Sequence, residues 1–391
     1  MNDGDGRLPI TLLCGPLGAG KTTLVNRLVA DPGDRRLAVV LNDMGEVNVD
    51  AATVERETDD GVVDLSNGCI CCRLGDDLVA ELTALADRRE FDHVVIEASG
   101  ISEPLPIART LTTPGESGDP TERFRLASVV SVVDAYGFWK AFDPETGLPE
   151  AAPEPDRPLA EVMVDQIEFC DVILLNKCDM VPDDVLDDVE AAVRELQPRA
   201  RLHRTVESDV PTEAVLGGEE FDFDETRRAP GWKRALAAGR GGGGQVVAQG
   251  GEAGHDADHG HDHDHEGLSA AEAHGVESIV YERSLPFDAD RLADWLTDWD
   301  GRVVRAKGFV YAASRPETVL GLSQAGPSIR IGPIGEWGED EPRTRLVFIG
   351  RDLDDGSIEA GLDECLADPT APDPPATPEA DPFPIERRID R

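Results

Sequence analysis

The chain has 391 residues, and its 79 Asp and Glu against 37 Lys and Arg give a formal net charge of −42. This balance excludes a nucleic-acid partner, because an acidic surface repels a polyanion and no cluster of Lys and Arg offsets it. Multimolar salt shortens the Debye length to about 3 Å and removes the self-repulsion of such a surface, so we interpret the acidic excess as a halophilic adaptation to a salty cytoplasm.

Neither a membrane segment nor a secretion signal is apparent. No apolar run reaches the roughly 18 residues of a membrane span, and the N-terminus lacks the apolar core of a signal peptide. The seven cysteines, three of them crowded into residues 69–72, fit reduced thiols better than a disulfide framework. We therefore expect a cytoplasmic protein that makes no contact with a membrane.

Residues 1–215 alternate short apolar runs with amphipathic stretches. Several runs are apolar throughout, as in a parallel sheet covered on both faces, and the stretches between them have helical periodicity. This order predicts an α/β domain with a doubly wound, mostly parallel sheet. The predicted strands are Ile10–Cys14, Leu37–Leu41, Val94–Ile96, Ala127–Val133 and Val172–Leu175. The predicted helices include Lys21–Val29, Asp76–Asp87 and Asp183–Leu196.

The rest of the chain divides into three predicted parts. Residues 216–275 are rich in Gly and His and poor in apolar residues, so we expect a flexible linker. Hydrophobic periodicity returns in residues 276–366, which predicts a smaller C-terminal α+β domain. Its predicted elements are a helix at Asp288–Trp299 and strands at Ser278–Tyr281, Arg302–Val304, Gly308–Ala312 and Arg345–Ile349. Residues 367–391 are rich in Pro and Asp, and we expect a disordered tail.

A glycine-rich loop follows the first predicted strand and opens the first predicted helix. It matches the pattern G-x-x-x-x-G-K-[ST], in which backbone N–H groups and the helix N-terminus bind phosphate oxygens. Lys21 is expected to reach the β- and γ-phosphates, and the Thr22 hydroxyl to hold Mg²⁺. The predicted nucleotide-binding residues of this loop are Gly15, Gly18, Ala19, Gly20, Lys21, Thr22 and Thr23.

A second motif, N-K-x-D, follows the strand predicted at residues 172–175. The carboxylate of Asp179 can accept hydrogen bonds from both N1–H and the 2-amino group of guanine, and adenine has no such pair of donors. We therefore predict that GTP is the nucleotide, with Asn176, Lys177 and Asp179 at its base.

Two carboxylates are placed to act in hydrolysis. Glu97 ends a buried strand, from which it can hold Mg²⁺ through water, and Gly100 can approach the γ-phosphate. Asp43 lies where a switch segment would follow the second strand. We predict that Lys21, Thr22, Asp43 and Glu97 form the catalytic group. In so acidic a chain each carboxylate also fits ordinary surface charge, and the pattern does not identify the residue that orients the attacking water.

Three thiols within four residues, Cys69, Cys71 and Cys72, predict a metal site. Thiolates select ions such as Zn²⁺, Co²⁺ or Cu⁺. A structural zinc site has four protein ligands in a tetrahedron, so three thiolates leave one ligand position open. An exchangeable fourth ligand, from Asp43, Glu46, water or a partner, suits an ion that is meant to leave.

Histidines form a second pattern, in which five of the eight lie within residues 255–265. Neutral imidazoles on a flexible segment bind a borderline metal weakly and release it readily. We therefore expect a segment that collects metal and that hydrolysis does not need. These histidines are His255, His259, His261, His263 and His265.

Taken in order, these motifs resemble the CobW family of P-loop GTPases. The segments that carry the resemblance are Gly15–Thr23, Asn42–Asp50, Cys69–Cys72, Glu97–Gly100, Asp165–Glu168, Asn176–Asp179, Arg305–Phe309 and Leu346–Asp352. The resemblance implies a GTP-dependent metallochaperone that supplies zinc to a client metalloprotein or cobalt to a cobalamin-synthesis enzyme, or that activates a nitrile hydratase. At the switch segment Asp43 replaces the usual Glu, which affects the expected metal preference more than GTP binding.

The sequence leaves three functions open. The first is a delivery cycle, in which GTP and metal bind together and hydrolysis passes the ion, zinc before cobalt, to a client. The second is a metal-storing or metal-sensing protein in which hydrolysis is incidental. The third is a GTP-driven regulator with structural thiols. In each case we expect a monomer or a homodimer.

Overall fold

The computed structural model describes ten stretches of the chain. They are residues 6–41, 62–64, 76–88, 90–115, 118–142, 159–218, 221–238, 275–297, 302–368 and 381–388. These residues form two β-sheets with helices packed on them, one sheet from each half of the chain.

The N-terminal sheet has seven strands in the order β3-β2-β4-β1-β5-β6-β7, all of them parallel. Successive residues of β1 enter opposite cores, since Leu12 packs on one face of the sheet and Leu13 on the other. This two-sided burial explains why the strands are apolar throughout. The strands are β1 (Leu8–Cys14), β2 (Leu37–Leu41), β3 (Val62–Asp64), β4 (His93–Glu97), β5 (Phe124–Asp134), β6 (Val172–Asn176) and β7 (Arg201–Arg204).

Helices cover both faces of this sheet, which confirms the predicted α/β class. Leu24 and Leu28 of α1 pack into one core, together with Leu216 of α7, while Met163 of α5 and Val193 of α6 pack into the other. The helices are α1 (Lys21–Ala30), α2 (Asp76–Arg88), α3 (Pro104–Thr112), α4 (Ala135–Phe142), α5 (Leu159–Glu168), α6 (Asp183–Leu196), α7 (Thr212–Leu216), α8 (Phe223–Arg228) and α9 (Gly231–Ala238).

The C-terminal sheet has six strands in the order β13-β11-β10-β9-β12-β8, and every pair is antiparallel. Leu292 and Leu362, from the two C-terminal helices, pack on one of its faces. The predicted α+β character of this half is therefore confirmed. Its elements are β8 (Val276–Arg283), α10 (Ala289–Leu296), β9 (Val303–Val310), β10 (Thr318–Ala325), β11 (Ser328–Glu336), β12 (Thr344–Arg351), α11 (Asp355–Glu364) and β13 (Ile385–Arg388).

The two sheets are joined by a common core. Val347 and Ile349 of β12 belong to the same hydrophobic cluster as the helices on one face of the parallel sheet. Val304 of β9 and Ala325 of β10 join the same cluster. The second sheet therefore packs against the first half of the chain through apolar contacts.

The structure is ordered in two places where composition predicts none. Helices α8 and α9 occupy part of the predicted linker, because Phe221 is buried edge-on against Phe169, with 5.6 Å between ring centroids. In the predicted tail, β13 pairs with β11, since Phe383 and Ile385 are buried. The Arg315 guanidinium also binds Asp381 through two hydrogen bonds of 2.6 and 2.7 Å. Residues 239–274, 369–380 and 389–391 lie outside the described stretches.

Across the described stretches, no helix combines the length and apolar character needed to cross a membrane.

His93, at the start of β4, makes the fold sensitive to acid. The side chain is 1% exposed, and its Nε2 lies 2.8 Å from the Thr11 hydroxyl. Burial and the charges of Arg35 and Arg125 lower the pKa of His93 to about 3. The unfolded chain, with a His pKa near 6.5, therefore binds the proton more tightly than the folded chain does.

We predict that the free energy of unfolding falls as pH decreases from about 6.5 towards 3, by up to ~1.4 kcal/mol per pH unit from this one group. Urea unfolding at fixed high salt measures the slope, and a His93→Gln variant gives the matched comparison. The variant is expected to lose that part of the slope. Equal slopes in the two proteins would show that His93 is not the sensitive group.

Candidate nucleotide-binding site

The carboxyl ends of four adjacent strands, β4, β1, β5 and β6, meet at one edge of the parallel sheet. Glu97, Asp134 and Asn176 end three of them, and the glycine-rich loop follows the fourth. In open α/β sheets a ligand binds outside the carboxyl edge, where connections leave for opposite faces. Motifs that lie as far apart in the sequence as Gly15 and Asp179 are therefore brought to one place.

The glycine-rich loop closes over the side chain of Lys21. Its Nζ donates to the carbonyl oxygens of Gly15, at 2.9 Å, and Pro16, at 3.2 Å. Helix α1 begins at Lys21, directly after the loop, and its first turn contains no acidic residue. The positive end of the helix dipole and the N–H groups of its first turn therefore favour an anion at this point. Gly18, Ala19, Thr22 and Thr23 lie in the same loop and first turn.

Gly20 has a backbone conformation that other residues rarely adopt, with φ 113°. A Cβ added here would lie 2.4 Å from Nδ2 of Asn176, well inside van der Waals contact. Two separate features therefore require glycine at position 20: the positive φ of its backbone and the close approach of β6.

Asn176, the last residue of β6, links the base motif to the phosphate loop. Its Nδ2 donates to the carbonyl oxygen of Ala19 at 2.8 Å. Its Oδ1 accepts from the backbone N–H of Ser208, at 2.8 Å, and from the hydroxyl of Thr205, at 3.0 Å. The side chain is 2% exposed, so these bonds are made away from water. The amide thus fixes three segments of the chain against one another.

The next two motif residues face outward from this anchor. Lys177 has φ 60°, and its Nζ binds a carboxylate oxygen of Asp134 at 2.7 Å. Asp179 lies on a short 3₁₀ turn, Cys178–Met180, and its side chain is exposed. The carboxylate that the sequence assigns to guanine is therefore accessible from solvent at the carboxyl edge.

Sequence reasoning missed Thr205 and Ser208, which follow β7. Ser208 is buried, and its hydroxyl donates to the carbonyl oxygen of Gly20 at 3.0 Å. Glu207 and Ser208 both have positive φ, at 51° and 56°. The sequence gives little indication of these two residues because the strand before them, β7, is a polar edge strand whose residues are exposed or half-buried. A turn of two left-handed residues has no clear signature without glycine.

Thr22 and Glu97 meet on the other side of the loop. The Thr22 hydroxyl donates to Oε1 of Glu97 at 3.0 Å, and the Glu97 side chain is largely buried. Hydroxyl and carboxylate oxygens are the donors that Mg²⁺ prefers, so the pair fits that ion chemically. Three residues further on, a Cβ added to Gly100 would lie 2.6 Å from the backbone nitrogen of Leu17. The segment after β4 therefore touches the phosphate loop at two points.

The predicted ligands of the transition metal, unlike those of Mg²⁺, lie outside the described residues. They are Asp43, Glu46, Cys69, Cys71, Cys72, His255, His259, His261, His263 and His265. Within the part of the chain that is described, no three His, Cys, Asp or Glu side chains are grouped to hold a metal ion.

Two described cysteines near the phosphate loop are ordinary core residues. Cys14 and Cys170 are fully buried, and burial raises the pKa of Cys14 to about 12 and that of Cys170 well above its usual value. Both are therefore protonated at neutral pH and act as small apolar side chains.

Comparison with known proteins gives a consistent result along most of the chain. The family described as "CobW/HypB/UreG, nucleotide-binding domain" matches residues 9–204. The family described as "Cobalamin synthesis protein cobW C-terminal domain" matches residues 276–366.

Individual relatives cover nearly the same length. A zinc-regulated GTPase metalloprotein activator 1 from Dictyostelium discoideum is 33% identical over 92% of this chain and 80% of its own. A zinc chaperone CobW from a Sinorhizobium species is 29% identical over 91% of this chain and 97% of its own. Among solved structures, the Zn(II)-bound YjiA GTPase from E. coli is 21% identical and covers 92% of this chain and 99% of its own, with a TM-score of 0.41.

Proposed function

The chain belongs to the CobW family of nucleotide-binding proteins, and we propose that it is a GTP-hydrolysing metallochaperone that binds a transition metal and delivers it to a client. The observation that carries the nucleotide part is the bond from Asn176 to Ala19, because it joins a guanine motif to a phosphate loop. The metal part is supported by relatives that are named zinc chaperones.

The base is selected by Asp179, supported by Lys177 and Asn176. The exposed carboxylate accepts from N1–H and the 2-amino group of guanine. The Lys177 side chain, held by Asp134, packs its methylene stem beside the ring. At the corresponding positions adenine has an acceptor, N1, and a C–H group, so one carboxylate oxygen faces an acceptor and the other has no donor.

The triphosphate lies in the loop that closes over Lys21. Backbone N–H groups from Gly15 to Thr23 cradle the phosphates, with Gly18, Ala19 and Gly20 closest to them, and Gly100 contacts the γ-phosphate. Lys21 stabilises the charge that develops on the phosphoryl oxygens during hydrolysis. Thr22 and Glu97 are the residues that would hold Mg²⁺, which neutralises phosphate charge when it is bound. We assign Asp43 to the switch segment that positions the reaction.

The cargo ion binds the thiolates of Cys69, Cys71 and Cys72, with Glu46 or Asp43 as an exchangeable fourth ligand. Zinc is the favoured cargo because thiolate and imidazole ligands both suit it, and cobalt is second. The histidines of residues 255–265 collect the same ion at low affinity. The client is a metalloprotein or an enzyme of cobalamin synthesis, and the chaperone acts as a monomer or a homodimer.

Nucleotide selectivity tests the base assignment. An Asp179→Asn variant places an amide donor opposite the 2-position, so it is expected to bind GTP roughly a hundredfold more weakly and to favour XTP, whose 2-oxygen is an acceptor. Competition against a fluorescent GTP analogue measures both affinities in high salt. Asp183→Asn, a change of the same kind at the start of α6, is the control and should leave GTP affinity unchanged. Undiminished GTP binding by Asp179→Asn would contradict the guanine assignment.

Counting bound zinc separates delivery from storage. Deleting residues 254–267 is expected to reduce the number of weakly bound ions and to leave one tight site, whereas replacing Cys69, Cys71 and Cys72 by Ser should remove that tight site. Titration against a competing chelator gives both numbers. Loss of most zinc binding on deletion would favour metal storage. Unchanged zinc binding and zinc-dependent hydrolysis in Cys71→Ser would favour a regulator with structural thiols.

A further inference from the structure

Helix α5 lies between the two sheets and is almost entirely buried. Eight of its ten residues are buried, three of them polar or charged. It contacts β5 of the parallel sheet and β10 of the C-terminal sheet. Buried polar side chains are costly unless each is paired, so the partners of these residues indicate what the helix does.

Gln166 ties the helix to the turn that follows β4. Its side chain is fully buried, and its Nε2 donates to the carbonyl oxygens of Gly100, at 3.4 Å, and Ser102, at 3.1 Å. Gly100 lies against Leu17 of the phosphate loop, at a distance that leaves no room for a side chain. Any movement of this turn therefore either moves the amide with it or breaks buried hydrogen bonds.

The acidic residues of α5 tie it to the C-terminal sheet. Glu168 receives two hydrogen bonds from the guanidinium of Arg305, at 2.8 and 3.1 Å, and Asp165 lies 3.3 Å from the same group. Arg305 is 0% exposed, and its side chain is the largest of those that are described as fully buried. Glu161 binds Arg330. Spacings of four and three residues place all three carboxylates on one face of the helix.

The two cationic residues, Arg305 and Arg330, lie on the same face of the C-terminal sheet. Arg305 is on β9, paired with Ala325 of β10, and Arg330 is on β11, paired with Ser323 of β10. The Arg305 guanidinium also donates to the Ser323 hydroxyl at 3.2 Å. Separating a buried carboxylate from its cation leaves an uncompensated charge. The sheet face and the helix therefore move together.

We propose that α5 couples the nucleotide state of the turn at residues 100–102 to the position of the C-terminal sheet. When the turn moves, Gln166 moves with it through its hydrogen bonds. The ten-residue helix then moves as one body, and the Glu168–Arg305 ion pair transmits that movement to β9. Gln166 and Arg305 are positioning residues in this account. The inference rests on the proposed contact between Gly100 and the γ-phosphate of GTP.

Hydrogen exchange of the full-length protein, saturated with GDP or with GTPγS in high salt, tests the coupling. Peptides that cover residues 303–325 are expected to differ in exchange rate by about threefold or more between the two nucleotides. In Gln166→Met, which keeps the size of the side chain and removes the donor, that difference should disappear. Gln324→Met is the matched control, because the side-chain amide of this buried glutamine donates to the carbonyl of Gly326, at 3.1 Å, and not to the turn after β4. Its contact with Arg305 is made by the backbone carbonyl, which the substitution keeps, so the difference should persist.

Three results would overturn the proposal. If the wild type binds GTPγS and its β9 and β10 peptides exchange equally with both nucleotides, the coupling is absent while the GTPase assignment stands. If the difference persists in Gln166→Met, the turn is not linked through this amide. If the wild type binds no guanine nucleotide, both proposals fail. Gln166→Ala, which also lacks the donor and adds neither charge nor bulk, gives the same comparison should the methionine variant fold poorly.

Discussion

The side-chain amide of Asn176 is the contact on which the nucleotide site depends. It bonds at once to the phosphate loop through Ala19, to the turn after β7 through Ser208, and to Thr205. The three partners are a backbone carbonyl, a backbone N–H group and a hydroxyl, and the amide that joins them is 2% exposed. Truncating this amide would leave buried donors and acceptors unpaired, at a cost of about 1–3 kcal/mol for each group. The same interaction therefore fixes the proposed base site relative to the proposed phosphate site.

Because the protein is so acidic, binding of a triphosphate depends more on local contacts than on the electrostatic field of the whole protein. A net charge of −42 opposes the approach of a nucleotide triphosphate, but concentrated salt screens this repulsion beyond a few ångströms. Binding would then depend on donors in direct contact with the phosphates, and the donors that we propose are the loop backbone, the α1 N-terminus and Lys21. Only five lysines occur in the chain, and two of them, Lys21 and Lys177, lie in the proposed nucleotide site.

The parts of the fold that could be predicted are those that a short stretch of neighbouring residues identifies. The glycine-rich loop and the N-K-x-D motif each follow an apolar strand, as the sequence predicted, and both lie at the carboxyl edge of the sheet. Thr205 and Ser208 were missed because their roles depend on contacts with residues far away in sequence. The helices at residues 223–238 and the strand Ile385–Arg388 were missed because one or two aromatic side chains anchor each against a polar background.

In the proposed delivery cycle, nucleotide and metal bind to one coupled switch. Titrating Zn²⁺ and then Co²⁺ into the full-length protein in high salt, with and without Mg·GTPγS and with a competing chelator, measures the coupling directly. The account predicts that one 1:1 site tightens about tenfold or more with the nucleotide, which is about 1.4 kcal/mol. The ion that binds more tightly identifies the cargo. Metal affinity that is the same with and without the nucleotide would contradict the claim.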